Sequence, residues 1–315
     1  MEKIVNEVLE VAKEEGLPSR RKIARLYGIS EAKARAVFEI VRFLLSKEGF
    51  RDVREITPVD VIDIPRPLYT NEREPYKIEG ERRIGIISDV HFPYHDYTAL
   101  KTVLKQLYEY EVDTLILNGD IVDFYSVSFW EKKPERRNLE WERELAVRAL
   151  DRIRSIFKDA KIIYKEGNHE ERLERYLARK APELYELEEL KVDRFLKLDD
   201  FGIAYVRDKR VIQAGELDII HGHEYRSYAS VNIAISFLRK AFKNVLLGHY
   251  HRRQEDTKRT IRDELMGCWV VGCLCDLKPD YSPKNEWTHG FAFIELQESG
   301  HFQVKNHLIQ GEEVF

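Results

Sequence analysis

The sequence predicts an α/β domain preceded by a small all-α helix-turn-helix-like domain. Short apolar runs alternate with helical stretches between residues 83 and 247, whereas residues 2 to 47 carry helical periodicity alone. Between these regions, Pro58, Pro65, Pro67 and Pro75 place four of the chain's 10 prolines within residues 56–80, and no helix crosses such a stretch. The predicted organisation is therefore a helical module over 1–55, a Pro-rich linker over 56–80 and a larger domain over 81–315. With 315 residues and 43% hydrophobic content, the chain is long enough to bury a substantial core.

In the module, Ile4, Val5, Val8, Leu9 and Val11 recur at helical spacing over residues 2–15, and Gly16 with Pro18 ends that helix. Ser19 is the expected N-cap of a second helix through "RRKIARLYG". Ser30 opens a third helix reaching about Lys47, with Val37, Val41, Leu44 and Leu45 on one stripe. Ala24, Gly28 and Ile29 supply the small residue, turn glycine and buried aliphatic that a helix-turn-helix needs. Between residues 18 and 45, Arg20, Arg21, Lys22, Arg25, Lys33, Arg35 and Arg42 outnumber Glu31 and Glu39 by seven to two. That surplus points to nucleic acid as the partner of this segment. The competing reading is a small bundle that packs or dimerises and leaves its charge in solvent.

The linker carries one extended candidate, "VDVID". Beyond it, strands are predicted at "RIGIIS" (83–88), "TLILN" (114–118), "KIIYK" (161–165), "LDII" (217–220) and "NVLL" (244–247). Helices are predicted over about 97–110, 139–158, 170–195 and 228–242. After residue 265 the runs "CWVVGCL", "GFAFIEL" and "FQVKNHLI" follow one another, the pattern of a second, more antiparallel sheet.

Composition narrows the function. A net charge of -4 gives no global basic field, so any nucleic-acid surface must be local. No run of 18 apolar residues exists, and the acidic, helical start "MEKIVNEVLEVAKEEG" is unlike a signal peptide, so a cytoplasmic protein with no membrane partner is expected. Cys268, Cys273 and Cys275 are too few and too close for a disulfide framework or a thiolate zinc site.

Each of the five strands runs into residues of ligand type: Asp89 and His91 in "SDVH", Asp120 and Asp123 in "NGDIVD", Asn168 and His169 in "EGNHE", His221 and His223 in "HGH", and His249 and His251 in "GHYH". Loops at the carboxyl ends of such strands converge on one crevice. One Asp or His at a strand end is an ordinary turn former or cap, but five such ends bring together carboxylates and imidazoles that only cations can offset. The oxygen and nitrogen set suits Mn, Fe, Zn, Ni or Mg. Glycines before Asp120, Asn168 and His249 let the backbone turn sharply and come close.

In this order, "DVH", "GDIVD", "GNHE", "HGH" and "GHYH" resemble the five signature segments of the calcineurin-like metallophosphoesterase superfamily. The likeness covers residues 83–252, and "GCLCDLKPDY" with "WTHGFAFIE" is similar to the second-sheet segment of its phage and prokaryotic members. The resemblance implies a four-layer α/β/β/α sandwich of two mixed sheets and two divalent ions, manganese first among the candidates. It implies one ion on Asp89, His91, Asp120 and His251, the other on Asp120, Asn168, His221 and His249, with His169 as a catalytic histidine oriented by Asp123. Only one histidine is then needed from "HGH", which leaves His223 for a supporting or phosphate-contacting place. Protein Ser/Thr phosphatases of the superfamily carry arginine after the second aspartate of "GDxxD"; Phe124 stands there in this chain, which argues against that subfamily.

The implied reaction is hydrolysis of a phosphoester, with two ions activating water and His169 and Asn168 assisting. The basic module favours a phosphodiesterase acting on nucleic acid, with Arg136, Arg137, Arg252 and Arg253 as candidate backbone contacts and Phe129, Trp130, Trp141 and Tyr225 as candidate stacking residues. A phosphomonoesterase, a small-nucleotide diesterase and a nucleic-acid-binding protein with an inert phosphoesterase domain are the rival readings. The stretch "YSVSFWEKKPERRNLEW" is expected to shape the crevice entrance.

Overall fold

The structure is a computed structural model that describes residues 1–46, 74–80, 82–130, 133, 138–225 and 231–315, and the chain divides into two units between residues 71 and 72. In the first unit, α1 (Glu2–Glu15), α2 (Arg20–Tyr27) and α3 (Glu31–Ser46) follow from the apolar spacing. Val5, Val8 and Ala12 of α1, Ile23 of α2, and Ala34, Val37, Ile40 and Val41 of α3 close into one buried cluster. Val11 and Leu45, which spacing alone places in the stripes, lie on exposed faces because a neighbour covers only part of each helix. Ser19 Oγ accepts from Lys22 N at 3.3 Å, and Ser30 Oγ from Lys33 N at 3.4 Å, so both capping serines do as expected. Gly28 ends α2 at φ 57° and ψ 33°, a left-handed conformation that glycine adopts without a Cβ clash.

In the second unit the order is β1 (Tyr76–Ile78), β2 (Arg82–Ile87), α4 (Tyr97–Glu109), β3 (Thr114–Asn118), α5 (Leu139–Ile156), β4 (Lys161–Lys165), α6 (Glu171–Lys180) and α7 (Val192–Phe195). There follow β5 (Ile203–Val206), β6 (Ile212–Ala214), β7 (Leu217–Ile219), α8 (Ile233–Ala241), β8 (Asn244–Leu247), β9 (Gln254–Arg259), β10 (Leu265–Val270), β11 (His289–Leu296), β12 (Phe302–Gln310) and β13 (Glu313–Val314). They form a seven-stranded sheet in the order β13-β12-β11-β2-β3-β4-β5 and a six-stranded sheet in the order β1-β6-β7-β8-β10-β9. Strands β2 to β5 run parallel and β11 to β13 add antiparallel pairs; β7, β8 and β10 are parallel while β6 and β9 pair antiparallel, so both sheets are mixed.

The sheets stack because the central strands are apolar on both faces. Ile84, Ile86, Ile116 and Ile163 meet Ile212, Leu217, Ile219 and Leu246 between the sheets. Ile87, Leu115, Leu117, Ile162 and Tyr164 instead face Leu100, Val103 and Leu107 of α4, Ala146 and Leu150 of α5, and Leu173 of α6. On the far side, Ile233, Ala234, Phe237 and Leu238 of α8 cover Val245, Leu247, Cys268 and Val270. Four layers, α/β/β/α, result.

Several expectations are corrected. The helix expected over 170–195 ends at Lys180, since Pro182 lacks the amide hydrogen to continue it; short turns and α7 follow. The last residues of the expected linker are not linker: Tyr76–Ile78 pairs in parallel with β6. The earlier linker residues, "VDVID" among them, lie outside the described residues. The five motif-bearing strands do not share one sheet: β2, β3 and β4 belong to the larger sheet, β7 and β8 to the smaller, and the motifs meet where the two sheets' carboxyl ends stack.

Candidate metal centre

Five candidate ligands sit in strained backbone. Asp89, His91, Asp120, His249 and His251 have φ of 54°, 54°, 52°, 67° and 56°, a region non-glycine residues enter only when their surroundings impose it. The loops impose it on one another: Asp89 N donates to Gly119 O at 3.1 Å, His91 N to Asp120 O at 3.0 Å, and His249 N to Asp89 Oδ2 at 2.8 Å. The glycines before the ligands are packing requirements. A Cβ on Gly248 would stand 2.0 Å from Ser88 Oγ and 2.6 Å from Asp89 Oδ2, and one on Gly167 would stand 2.3 Å from Asp120 Oδ1.

Asp120 Oδ2 is the hub. It lies 3.3 Å from His221 Nε2, 3.7 Å from His169 Nε2 and 3.9 Å from His91 Nε2. Asp89 Oδ1 lies 3.1 Å from His251 Nε2, and His251 Nε2 is 3.1 Å from His91 Nε2. Among the described residues, the groups able to hold a cation include Asp89 with His91 and Asp120, and Asp120 with His221 and His249. These two groups share Asp120 alone. His91 also joins His251 and Cys275 in one such group, and Asp123 and His169 in another.

Electrostatics follow from this crowding. Burial would raise Asp89 and Asp120, but His251 beside the first and His169 and His221 beside the second hold both carboxyls well below the ordinary range. Burial would lower His221, yet Asp120 raises it to about 10; burial would lower His251, yet Asp89 raises it to about 9. Burial, then the His221 charge, pushes His249 down to about 4, and burial with His169 also lowers His91. A proton on His251 keeps two imidazole lone pairs from facing each other across 3.1 Å.

The donor set fits cations. Asp89 Oδ1, Asn168 Oδ1, His221 Nε2 and His249 Nδ1 are buried without a hydrogen bond of acceptable geometry, and all four belong to candidate ligands. His221 Nδ1 is 2.7 Å from Asn118 O and donates to it, which turns Nε2 toward Asp120, where loss of its proton would free a lone pair for a cation.

A supporting layer holds these groups, and most of it is not evident from sequence. Glu170, fully buried, accepts from the backbone N–H of Asp120 at 2.9 Å, of Ile121 at 2.9 Å and of Gly167 at 2.8 Å, and from Tyr164 OH at 2.7 Å. One carboxylate thus ties two ligand loops together. Glu224 does the same for "HGH": it accepts from His221 N at 3.0 Å and Gly222 N at 2.6 Å and pairs with buried Lys165 at 2.8 Å. Asp123 Oδ2 lies 3.0 Å from His91 Nδ1, so its carboxylate orients a candidate ligand as well as lying 3.4 Å from His169; the closer partner of His169 Nδ1 is the Asp123 carbonyl at 2.9 Å. Arg172 Nη1 donates to Asp123 O at 2.8 Å and Oδ1 at 3.2 Å, and its Nη2 lies 2.7 Å from His169 Nε2.

His223 stands beside His221 and His249, with ring centroids 5.3 and 6.4 Å away, while its Nε2 lies 3.0 Å from Glu171 Oε1. Arg252 pairs with Glu286 and donates to Val231 O at 3.0 Å, and Arg253 pairs with Glu255 at 3.1 Å and donates to Asn306 O at 3.0 Å. Each guanidinium thus has a carboxylate and a carbonyl as partners within the protein. Arg136 and Arg137 lie outside the described residues. Phe129 and Trp130 are 85% and 74% exposed, whereas Tyr225 packs edge-on to Phe237 and Trp141 sits on α5. Trp287, the first residue of "WTHGFAFIE", meets the His251 ring at 4.2 Å.

The family model for calcineurin-like phosphoesterases matches residues 82–267. The gene 54 protein of Mycobacterium phage L5 is 29% identical over 230 residues, covering 68% of this chain and 89% of that protein. Its namesake from Mycobacterium phage D29 is 28% identical over 180 residues, covering 55% and 70%. Among solved structures, a dimetal phosphatase from Danio rerio aligns at 12% identity and a TM-score of 0.34, covering 74% of this chain and 98% of that one.

Proposed function

From a chain that belongs to the calcineurin-like phosphoesterase family, and is thus a metal-dependent phosphoric ester hydrolase, we infer a finer activity: hydrolysis of phosphodiester bonds in nucleic acid. Asp89, His91, Asp120 and His251 would hold one ion and Asp120, Asn168, His221 and His249 the other, with manganese the first candidate for a set of oxygen and imidazole donors. The observation that carries this assignment is that Asp120 belongs to two groups of closely set, cation-holding side chains, one with Asp89 and His91 and one with His221 and His249. When bound, such ions polarise the phosphoryl group and lower the pKa of an attacking water.

The chain's own groups do the rest. His169 N donates to Asp120 Oδ1 at 2.9 Å, which fixes the start of α6 against the shared carboxylate. With Nδ1 committed to the Asp123 carbonyl, Nε2, which Arg172 Nη2 approaches to 2.7 Å, is the His169 atom left to exchange a proton with a leaving oxygen. The Asn168 amide adds a dipole beside the developing charge.

The first unit supports the substrate class. Arg20 and Arg42 both pair with Glu39. Arg21, Lys22 and Arg25 of α2 and Lys33 and Arg35 of α3 are exposed and have no acidic partner among the described residues. Five such cations on two helices joined by the Gly28 turn suit a phosphate backbone, as a helix-turn-helix would present them.

The test is a panel of single-stranded DNA, duplex DNA, RNA, 2′,3′-cyclic nucleotide and p-nitrophenyl phosphate with Mn²⁺, using the full chain and His169→Ala and Asp120→Asn variants checked for folding. Cleavage of a nucleic acid, lost in both variants, is expected. Turnover restricted to p-nitrophenyl phosphate or the cyclic nucleotide would move the substrate to a monoester or small nucleotide, and salt-sensitive DNA binding without hydrolysis would leave a binding protein.

A further inference from the structure

Phe124 follows Asp123 and is fully buried in the helix-side core, where it can offer no charge to the crevice. A cation nevertheless reaches that spot from another element. Arg172, in the first turn of α6, is fixed through Nη1 to both the carbonyl and the carboxylate of Asp123, while Nη2 rests 2.7 Å from His169 Nε2. His169 Nε2 in turn lies 3.7 Å from the hub carboxylate of Asp120, so a single imidazole nitrogen links the guanidinium to the candidate ligands. Its side chain keeps 18% of its exposure. Among the described residues, these contacts leave Nε–H and one Nη2–H without an acceptor.

We propose that Arg172 is a substrate-contacting residue that binds a non-bridging oxygen of the phosphoester. This rests on the phosphoesterase reading and extends it to a residue outside the signature segments. The contact to His169 is a guanidinium meeting an imidazole nitrogen; a phosphate oxygen carries charge, and guanidinium bonds to such oxygens are the stronger kind. Entry of the phosphoester therefore draws Nη2 away from His169 while Nη1 stays on Asp123. The anchored fork orders the guanidinium before substrate arrives, and it exposes the His169 edge as substrate engages. Lysine cannot copy this, since one ammonium on a flexible stem lacks the planar fork that holds Asp123 and the phosphate together.

The experiment uses the full chain, loaded with Mn²⁺, as wild type, Arg172→Gln, Arg172→Lys and Arg172→Ala. Inorganic phosphate is the probe, read as a competitive inhibitor and, separately, by the thermal shift it produces. Metal content per chain is measured for each protein. Both Arg172→Gln and Arg172→Lys should keep wild-type metal content, weaken phosphate binding by about 10- to 100-fold and raise KM in parallel. Added guanidinium ion should restore activity to Arg172→Ala in a saturable way. Phosphate affinity within about twofold of wild type in Arg172→Gln would overturn the inference, as would a folded, metal-loaded Arg172→Ala that guanidinium does not rescue. If wild type itself hydrolyses no phosphoester with any divalent ion, the functional reading fails instead, and the two failures are told apart by that control.

Discussion

Lowering the pH during metal loading tests the site at its most distinctive point. Six residues other than Asn168 carry titratable ligand groups, yet only two of them hold a proton that a cation must displace. Asp89 and Asp120 are ionised far below neutrality, and His91 and His249 are neutral because burial and neighbouring cations depress them, His249 to about 4. His221, raised to about 10 by Asp120, and His251, raised to about 9 by Asp89, are protonated in the metal-free protein at neutral pH. Metal binding requires neutral imidazole, so each ion should release one proton, from His251 at one site and His221 at the other. Between pH 5.5 and 6.5, below the range in which bound water ionises, each affinity should rise about tenfold and their product about 100-fold, or about 2.7 kcal/mol. Isothermal titration calorimetry with Mn²⁺ in buffers of different ionisation enthalpy counts the protons directly. A count near zero would mean that carboxylates do not hold these histidines charged, and a count near four would mean that His91 and His249 are charged as well; either refutes the reasoning.

Three further outcomes follow from the same geometry. In the metal-free protein, the folded pKa values of His221 and His251 lie above the ordinary 6.5, so the stability these pairs contribute is complete below pH 6.5 and is lost as pH rises through 9 to 10; thermal melts should fall over that window, and a flat profile would contradict the pairing. Glu170→Ala removes the acceptor shared by four backbone donors and Tyr164 OH, and urea unfolding should show a loss of at least about 3 kcal/mol, a loss under about 1 kcal/mol being inconsistent with that role. His221→Ala should bind one ion fewer than wild type, whereas His223→Ala, which loses its pairs with Glu171 and Glu224, should keep full metal content by elemental analysis; the reverse pattern would exchange the two assignments.

The site's components were legible because chemistry constrains residue type at each position. Aspartate, asparagine and histidine at five strand ends, with glycines where a Cβ would strike Ser88 or Asp120, are readable without coordinates. The strands buried on both faces were equally plain, since an unbroken run such as Leu115–Leu117 can be satisfied only between two layers. Strand β9 was not: "QEDTKR" lies at a sheet edge with alternating partly buried and exposed residues, and it carries no apolar pattern. Glu170 and Arg172 stand in a charged stretch, "HEERLER", that reads as an ordinary solvated helix start. Arg252 and Arg253 look like open loop cations, yet Glu286, Glu255, Val231 and Asn306 engage them.

By itself, then, the sequence determined which residues can bind metal, that they terminate alternating strands, and that a basic helical module precedes them, because periodicity and donor chemistry are local properties of the chain. Only the tertiary structure decided that two sheets rather than one supply the ligands, that Glu170 binds the loops of β3 and β4 together, and that Arg172 occupies the place beside Asp123 which Phe124 leaves uncharged. Those outcomes depend on contacts across tens of residues, such as the 49 that separate Arg172 from Asp123, and no local pattern encodes which side chain will reach across them.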